Sequence, residues 1–170
     1  LSQANLRDTN LWGANLGYAK LENANLKNAN LLGANLFSAE LENADLENAN
    51  LKNAKIDGDN LKGAKLKQAN LKDAKLAGEN ADLENANLEG SNLENANLLG
   101  AYLKNANLSE ASLEGADLRG ANLTNANLSK TYLRGANLRG VNLRGAKLDT
   151  ANFRDTDLKG AIMPDGSIHP

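Results

Sequence analysis

Large apolar residues return every five positions along almost the whole chain: Leu1, Leu6, Leu11, Leu16, Leu21 and onward. A small residue, usually Ala, stands two places before each Leu, and Asn or another polar residue one place before it. Five is the period of neither regular element. On an α-helix, residues five apart are about 140° out of phase, which scatters the leucines and leaves no apolar face. On a flat strand, an odd spacing puts successive leucines on opposite sides. The pattern works if the chain turns a corner once per repeat, so that every Leu faces one common axis. Ala4, Ala14, Ala19, Ala24, Ala29 and Ala34 then face the same interior.

Turn residues stand where such corners fall. Two places after the leucines come Gly13, Asn23, Asn28, Gly33, Asn43, Asn48 and Asn53, and later Gly115, Gly120, Asn125, Gly135, Gly140 and Gly145. Gly and Asn tolerate the positive φ of the third residue of a type II turn. Asp8, Tyr18, Gln68, Glu110 and Lys130 occupy the same place, and their residue types predict a second kind of corner that avoids positive φ. Such a chain winds into a solenoid whose coils stack through backbone hydrogen bonds about 4.8 Å apart.

This repeat resembles that of the pentapeptide-repeat family, A(D/N)LXX, as in AlaAspLeuGluAsn at 81–85 and AlaAsnLeuLysAsn at 24–28. The resemblance runs over essentially the whole chain. It implies an all-β solenoid, a right-handed quadrilateral parallel β-helix with four pentapeptides per coil. The residues themselves establish a corner per repeat; the number four comes from the resemblance. Similar outward residues recur twenty apart in agreement with it: Trp12 and Leu32, Lys52 and Lys72, and Arg119, Arg139 and Lys159. Core positions number 16 from 1 to 76 and 18 from 83 to 168, which makes about eight coils and roughly 35–40 Å of rod.

One domain is expected over 1–170, with a first repeat block at 1–76 and a second at 83–162. Leu83 follows Leu76 by seven residues rather than five, so a two-residue insertion lies within 77–82. It predicts a bulged corner; the alternative is a protruding loop that engages a partner. Residues 163–170 read as a cap: Met163 and Ile168 keep the rhythm, Pro164 cannot donate to a ladder, and ProAspGly is a turn signal. The chain begins inside the pattern without a Met or a comparable cap, which raises the expectation of an upstream leader or cap, or of two chains meeting at that end.

Composition narrows the function. Of 170 residues, 41% are hydrophobic, almost all Leu and Ala, and only 4% are aromatic. The net charge of −2 excludes a polycation or polyanion acting as a whole. No cysteine is present, so disulfides and thiolate metal sites are excluded. No apolar run approaches the roughly 18 residues of a membrane span, and the compartment is left open. Catalysis needs a base, a nucleophile or a metal held in a pocket, whereas this rod has a filled axis and flat walls. His169 is the sole histidine and lies in the tail. Paired acids such as Glu40 and Glu42, or Asp57 and Asp59, fall on outward positions. No phosphate-binding loop, metal-binding motif or calcium β-roll pattern occurs. Thr9, Thr124, Thr131, Thr150 and Thr156 form no repeated exposed row of the kind an ice-binding face uses. An enzyme is not expected, nor a cofactor, a metal or a small-molecule substrate.

Binding is the expected role, through a protein partner or a second copy. Trp12 and Leu32 stack on one face near the start, and Phe37 and Leu99 lie on the next, with Tyr18 at a nearby corner. Charge is sorted along the chain: residues 82–118 carry a balance of −6 and residues 119–160 one of +5. Arg119, Arg134, Arg139 and Arg154 in the basic band are candidate contacts between molecules or for a charged partner. The resemblance implies a non-enzymatic interaction or regulatory protein of a type common in cyanobacteria. Its alternative implication is mimicry of nucleic acid, since some relatives protect DNA gyrase by resembling B-DNA. That role needs an extended anionic surface, which the basic C-terminal half interrupts, and Phe153 is the only Phe at a core position. Nucleic acid itself is not an expected ligand for so nearly neutral a chain.

Overall fold

The computed structural model describes residues 1–57, 61–76 and 81–170. They wind into a right-handed quadrilateral β-helix of eight stacked coils, in which Asn5 pairs with Asn25, Asn25 with Asp45 and Asp45 with Lys65, always twenty residues on. The step becomes 22 from Lys65 to Asn87 and returns to twenty from Asn87 to Asn107. The four walls are named by their inward residues. The first carries Leu21, Leu41 and Leu83; the second, Leu26, Leu46 and Leu88; the third, Leu31, Leu51 and Leu93; the fourth, Leu36, Ile56 and Leu98.

Backbone accounting explains why the repeat is five residues long. In Asn25–Ala29 every N–H finds an acceptor. Asn25 donates to Ala4 O in the coil before, at 2.9 Å. Leu26 and Asn28 donate to Asp45 O and Glu47 O in the coil after, at 2.7 and 2.9 Å. Ala29 closes the turn on Leu26 O at 3.0 Å. The fifth donor, Lys27 N–H, is met by the Asn25 side-chain Oδ1 at 3.2 Å. Orphaned backbone donors are costly, so the Asn or Asp that precedes most of the leucines is a structural cap. Asp45, Asp82 and Asp117 do the same for Glu47, Glu84 and Arg119. The Asn amides also link coils: Asn30 donates to Asn10, Asn50 to Asn30 and Asn70 to Asn50.

The corners are of one kind, not two. Asp8, Tyr18, Gln68, Glu110 and Lys130 have φ of +58°, +60°, +56°, +61° and +60°, in line with the Asn and Gly corners. At each, the turn bond and the ladder bond from the third residue fix the backbone whatever the side chain. Tyr18, for example, donates to Phe37 O at 2.9 Å while Ala19 closes on Leu16 O at 3.0 Å. The left-handed conformation costs an L-residue about 1–2 kcal/mol, and neighbouring coils over-determine it.

Leucines fill the axis. From Leu21 to Leu143 the inward side chains are buried, while Leu6, Leu11 and Leu16 at one end and Leu148, Phe153, Leu158 and Met163 at the other are partly buried. Ile168 departs from its expected inward place and is 73% exposed. The ProAspGly turn reverses the chain, so Ile168 pairs antiparallel with Ile162 and His169 N–H donates to Ala161 O at 2.8 Å. The five-residue spacing persists there without the coil that gave it meaning.

The expected insertion at 77–82 falls largely on residues outside those described, as does Asp59. Its two flanks are joined by ion pairs on three walls: Lys62–Glu84 and Lys67–Glu89 at 3.1 Å each, and Lys72–Glu94 at 2.7 Å. The Lys62 ammonium hydrogen-bonds Glu84 and holds its carboxyl below the ordinary glutamate range, and Lys62 is correspondingly raised.

Candidate partner-binding walls

Trp12 is the second residue of a third-wall corner, the turn that Ala14 N–H closes on Leu11 O. Leu32 holds the same place one coil on, and Gly13 N–H donates to Leu32 O at 3.0 Å, so the two side chains stack at one corner. The next corner carries Phe37 and Tyr18, whose rings meet edge to face with centroids 5.6 Å apart and planes at 81°. Between the corners lies the fourth wall of coils 1–20 and 21–40. Its floor is Asn15 and Asn35, joined amide to amide at 3.0 Å, and Gly17. Trp12 is 69% exposed, Tyr18 73% and Phe37 43%, while Leu32 is half-buried. The structure thus brings Trp12, Leu32, Tyr18 and Phe37 together as two apolar rims around a small polar floor. Leu99 shares the column of Phe37 but lies three coils farther along, about 14 Å away, and is no part of this group.

The candidate arginines divide between two walls, and each is paired. Arg119 holds Asp117 at 2.7 Å and Arg139 reaches Asp157 at 3.5 Å on the fourth wall. Arg134 holds Glu114 at 3.0 Å on the third, and Arg154 lies 3.5 Å from Asp155. Arg134 and Arg154 meet Glu94 and Glu114 in an open groove of about 460 Å³ whose smooth edge is Gly115 and Gly135. The acidic band at 82–118 is likewise largely paired within the molecule, from Lys62, Lys67 and Lys72 in the coil before and from Lys104, Lys130 and Arg134 in the same or following coils. The two bands therefore neutralise at their borders instead of presenting bare fields.

Sequence reasoning missed one cluster. Lys52, Lys55 and Lys75 lie on the third-wall corner and fourth-wall floor of coils 41–60 and 61–82, directly after the apolar rims. They have no ion-pair partner among the described residues. Sorting the sequence at a period of twenty would have found them, because Asn15, Asn35, Lys55 and Lys75 form one column. Among the described residues no group of three His, Cys, Asp or Glu is placed to hold a metal ion, and no helix is long and apolar enough to cross a membrane.

The sequence profile of pentapeptide repeats matches residues 4–43, 14–53, 79–115, 101–140 and 126–165, in eight copies. The chain belongs to the pentapeptide repeat family. A crystal structure of HetL, a pentapeptide repeat protein involved in heterocyst differentiation regulation from the cyanobacterium Nostoc sp. strain PCC 7120, is 35% identical to it. That match covers 98% of this chain and 92% of HetL, with a TM-score of 0.42. QnrB1, a plasmid-mediated fluoroquinolone resistance protein, is 18% identical over 95% of this chain and 82% of its own, with a TM-score of 0.76, a likeness of fold. A pentapeptide repeat protein of the Arabidopsis thaliana thylakoid lumen is 30% identical over 74% of this chain and 68% of its own, with a TM-score of 0.30. A comparison with curated proteins gives no match. The chemistry open to this pentapeptide repeat protein lies on its walls, since Leu and Ala occupy the axis.

Proposed function

We propose that this pentapeptide repeat protein is a non-enzymatic scaffold that binds a protein partner through the apolar corners of its first two coils. The observation that carries the reading is the exposure of Trp12 and Tyr18 on a wall whose backbone is held at every rung. A large aromatic on a rigid wall gives up little conformational entropy on docking, and Trp and Tyr are enriched among residues that dominate interface energetics. Likeness to HetL, a protein involved in a regulatory process, supports a regulatory scaffold. Mimicry of nucleic acid is disfavoured, because the acids of coils 83–102 and 103–122 are largely matched by Lys and Arg. Affinity capture from the cells of origin, comparing wild type with Trp12→Ala/Leu32→Ala, tests the reading. Loss of captured proteins by a double variant of unchanged melting temperature is expected, and identical capture by both overturns it. Light scattering separates a second copy from a foreign partner. Inhibition of gyrase supercoiling by micromolar protein would reverse the preference against mimicry.

A further inference from the structure

The fourth wall changes character along its length. Over the first two coils it is a polar floor between aromatic rims; over the next two the floor becomes Lys55 and Lys75, with Lys52 at the adjoining corner. Like charges on successive rungs lie about 4.8 Å apart and repel one another. Several lysines elsewhere on this rod are opposed by a carboxylate one coil away, as Lys27 is by Glu47 and Lys72 by Glu94. At Lys55 and Lys75 the rung partner is instead another lysine. Asp73 borders the patch at a corner and accepts from Asn95 Nδ2 at 3.4 Å.

We propose, building on the scaffold reading, that this wall takes an extended acidic polypeptide segment lying along the rod axis. A bulky apolar side chain seats between the Trp12–Leu32 and Tyr18–Phe37 corners, and carboxylates meet Lys55, Lys75 and Lys52. Charge complementarity selects the occupant: among the described residues Lys52, Lys55 and Lys75 have no ion-pair partner, and an acidic segment supplies one. The spacing follows from the register. From the middle of the rims to the middle of the Lys55–Lys75 pair is two coils, about 10 Å, which an extended chain spans in about three residues. The recognised segment therefore carries its apolar anchor about three positions from a pair of acids.

The chain supplies its own reporter, since Trp12 is its single tryptophan and stands in the rim. The full chain is titrated with the peptide acetyl-Gly-Ser-Phe-Leu-Gly-Glu-Glu-Asp-Gly-amide and with a counterpart bearing Lys at the three acidic places. The expected result is a saturable blue shift of tryptophan emission, with at least tenfold tighter half-saturation for the acidic peptide in low salt. Salt at about 0.5 M, where screening acts within several ångströms, shrinks that ratio to near one. Lys55→Glu/Lys75→Glu, with melting temperature unchanged, reverses the preference. Leu32→Ala/Phe37→Ala weakens both peptides alike. Equal affinity for both peptides overturns the acidic specificity and leaves the apolar contact standing. No saturable shift with either peptide at millimolar concentration overturns the peptide groove, while the capture experiment above still judges the scaffold reading. A blue shift on concentrating the protein alone assigns the wall to a second copy and overturns the proposal.

Discussion

Replacing Asn50 by Ala isolates the device that sets the repeat. Three hydrogen bonds are lost: Lys52 N–H to Asn50 Oδ1 at 3.3 Å, Asn50 Nδ2 to Asn30 Oδ1 at 3.2 Å, and Asn70 Nδ2 to Asn50 Oδ1 at 3.3 Å. These are long, partly solvated bonds, so about 0.5–1 kcal/mol each is appropriate, giving about 2 kcal/mol in all. At about 2–4 °C per kcal/mol for a chain of this size, the melting temperature falls by about 4–8 °C. Asn50→Asp separates the cap from the inter-coil amide link. Asp keeps an acceptor for Lys52 N–H and Asn70 Nδ2, as Asp45 does for Glu47 N–H, and loses only the donor to Asn30. It is expected to cost less than half as much as Ala. Urea unfolding supplies the free energies, and hydrogen exchange at the Lys52 amide reports the cap, with faster exchange in Ala and near-native protection in Asp. Equal losses for the two variants, or an unchanged Lys52 amide in Ala, would refute the assignment of the Asn column as a backbone cap.

Other consequences are as direct. Ser91 Oγ is buried without a hydrogen-bond partner where neighbouring repeats carry Ala, so Ser91→Ala is expected to raise stability by about 1 kcal/mol in urea unfolding. Thr150, β-branched, holds φ at +56°; Thr150→Gly relieves that strain and, after the entropy Gly adds to the unfolded chain, raises stability by about 0.5–1 kcal/mol. Glu47 and Glu84 are held below the ordinary carboxylate range by hydrogen bonds from Lys27 and Lys62. Their stabilisation is full while both are ionised and is lost as pH falls through their lowered values. Lys62 and Lys72, raised by Glu84 and Glu94, lose theirs as pH rises through their raised values. Melting temperature should be level between about pH 5 and 10 and fall on both sides. Leu98→Asp places an unpaired charge in the axis and abolishes the cooperative transition seen by circular dichroism.

The shape was legible because one rule, an inward Leu per corner, repeats without exception from Leu6 to Leu158 bar Ile56 and Phe153. The corners misled where side-chain preference and tertiary constraint disagree. Tyr18 and Lys130 are poor left-handed residues, yet two ladder neighbours fix the backbone before the side chain has a say. Ile168 misled for the opposite reason, keeping the spacing after the coil had ended. At the surface, counting charge in consecutive blocks hid what lies side by side. Arg134 and Glu114 are twenty residues apart and in contact, whereas Lys55 and Lys75 stand on adjacent rungs with no acid between them.

The three ion pairs across the 22-residue step bear on how such a monotonous sequence finds its native stacking. Every coil offers its neighbour the same Leu–Ala interior, so a chain that skipped one winding would lose almost nothing in its core. It would, however, set Lys62 against Lys104, Lys67 against Ser109 and only Lys72 against an acid, Glu114. The correct apposition, Lys62 to Glu84, Lys67 to Glu89 and Lys72 to Glu94, works as a key with three teeth. Individually such contacts add little to stability; together they tell one winding from the next, which the interior is too uniform to do.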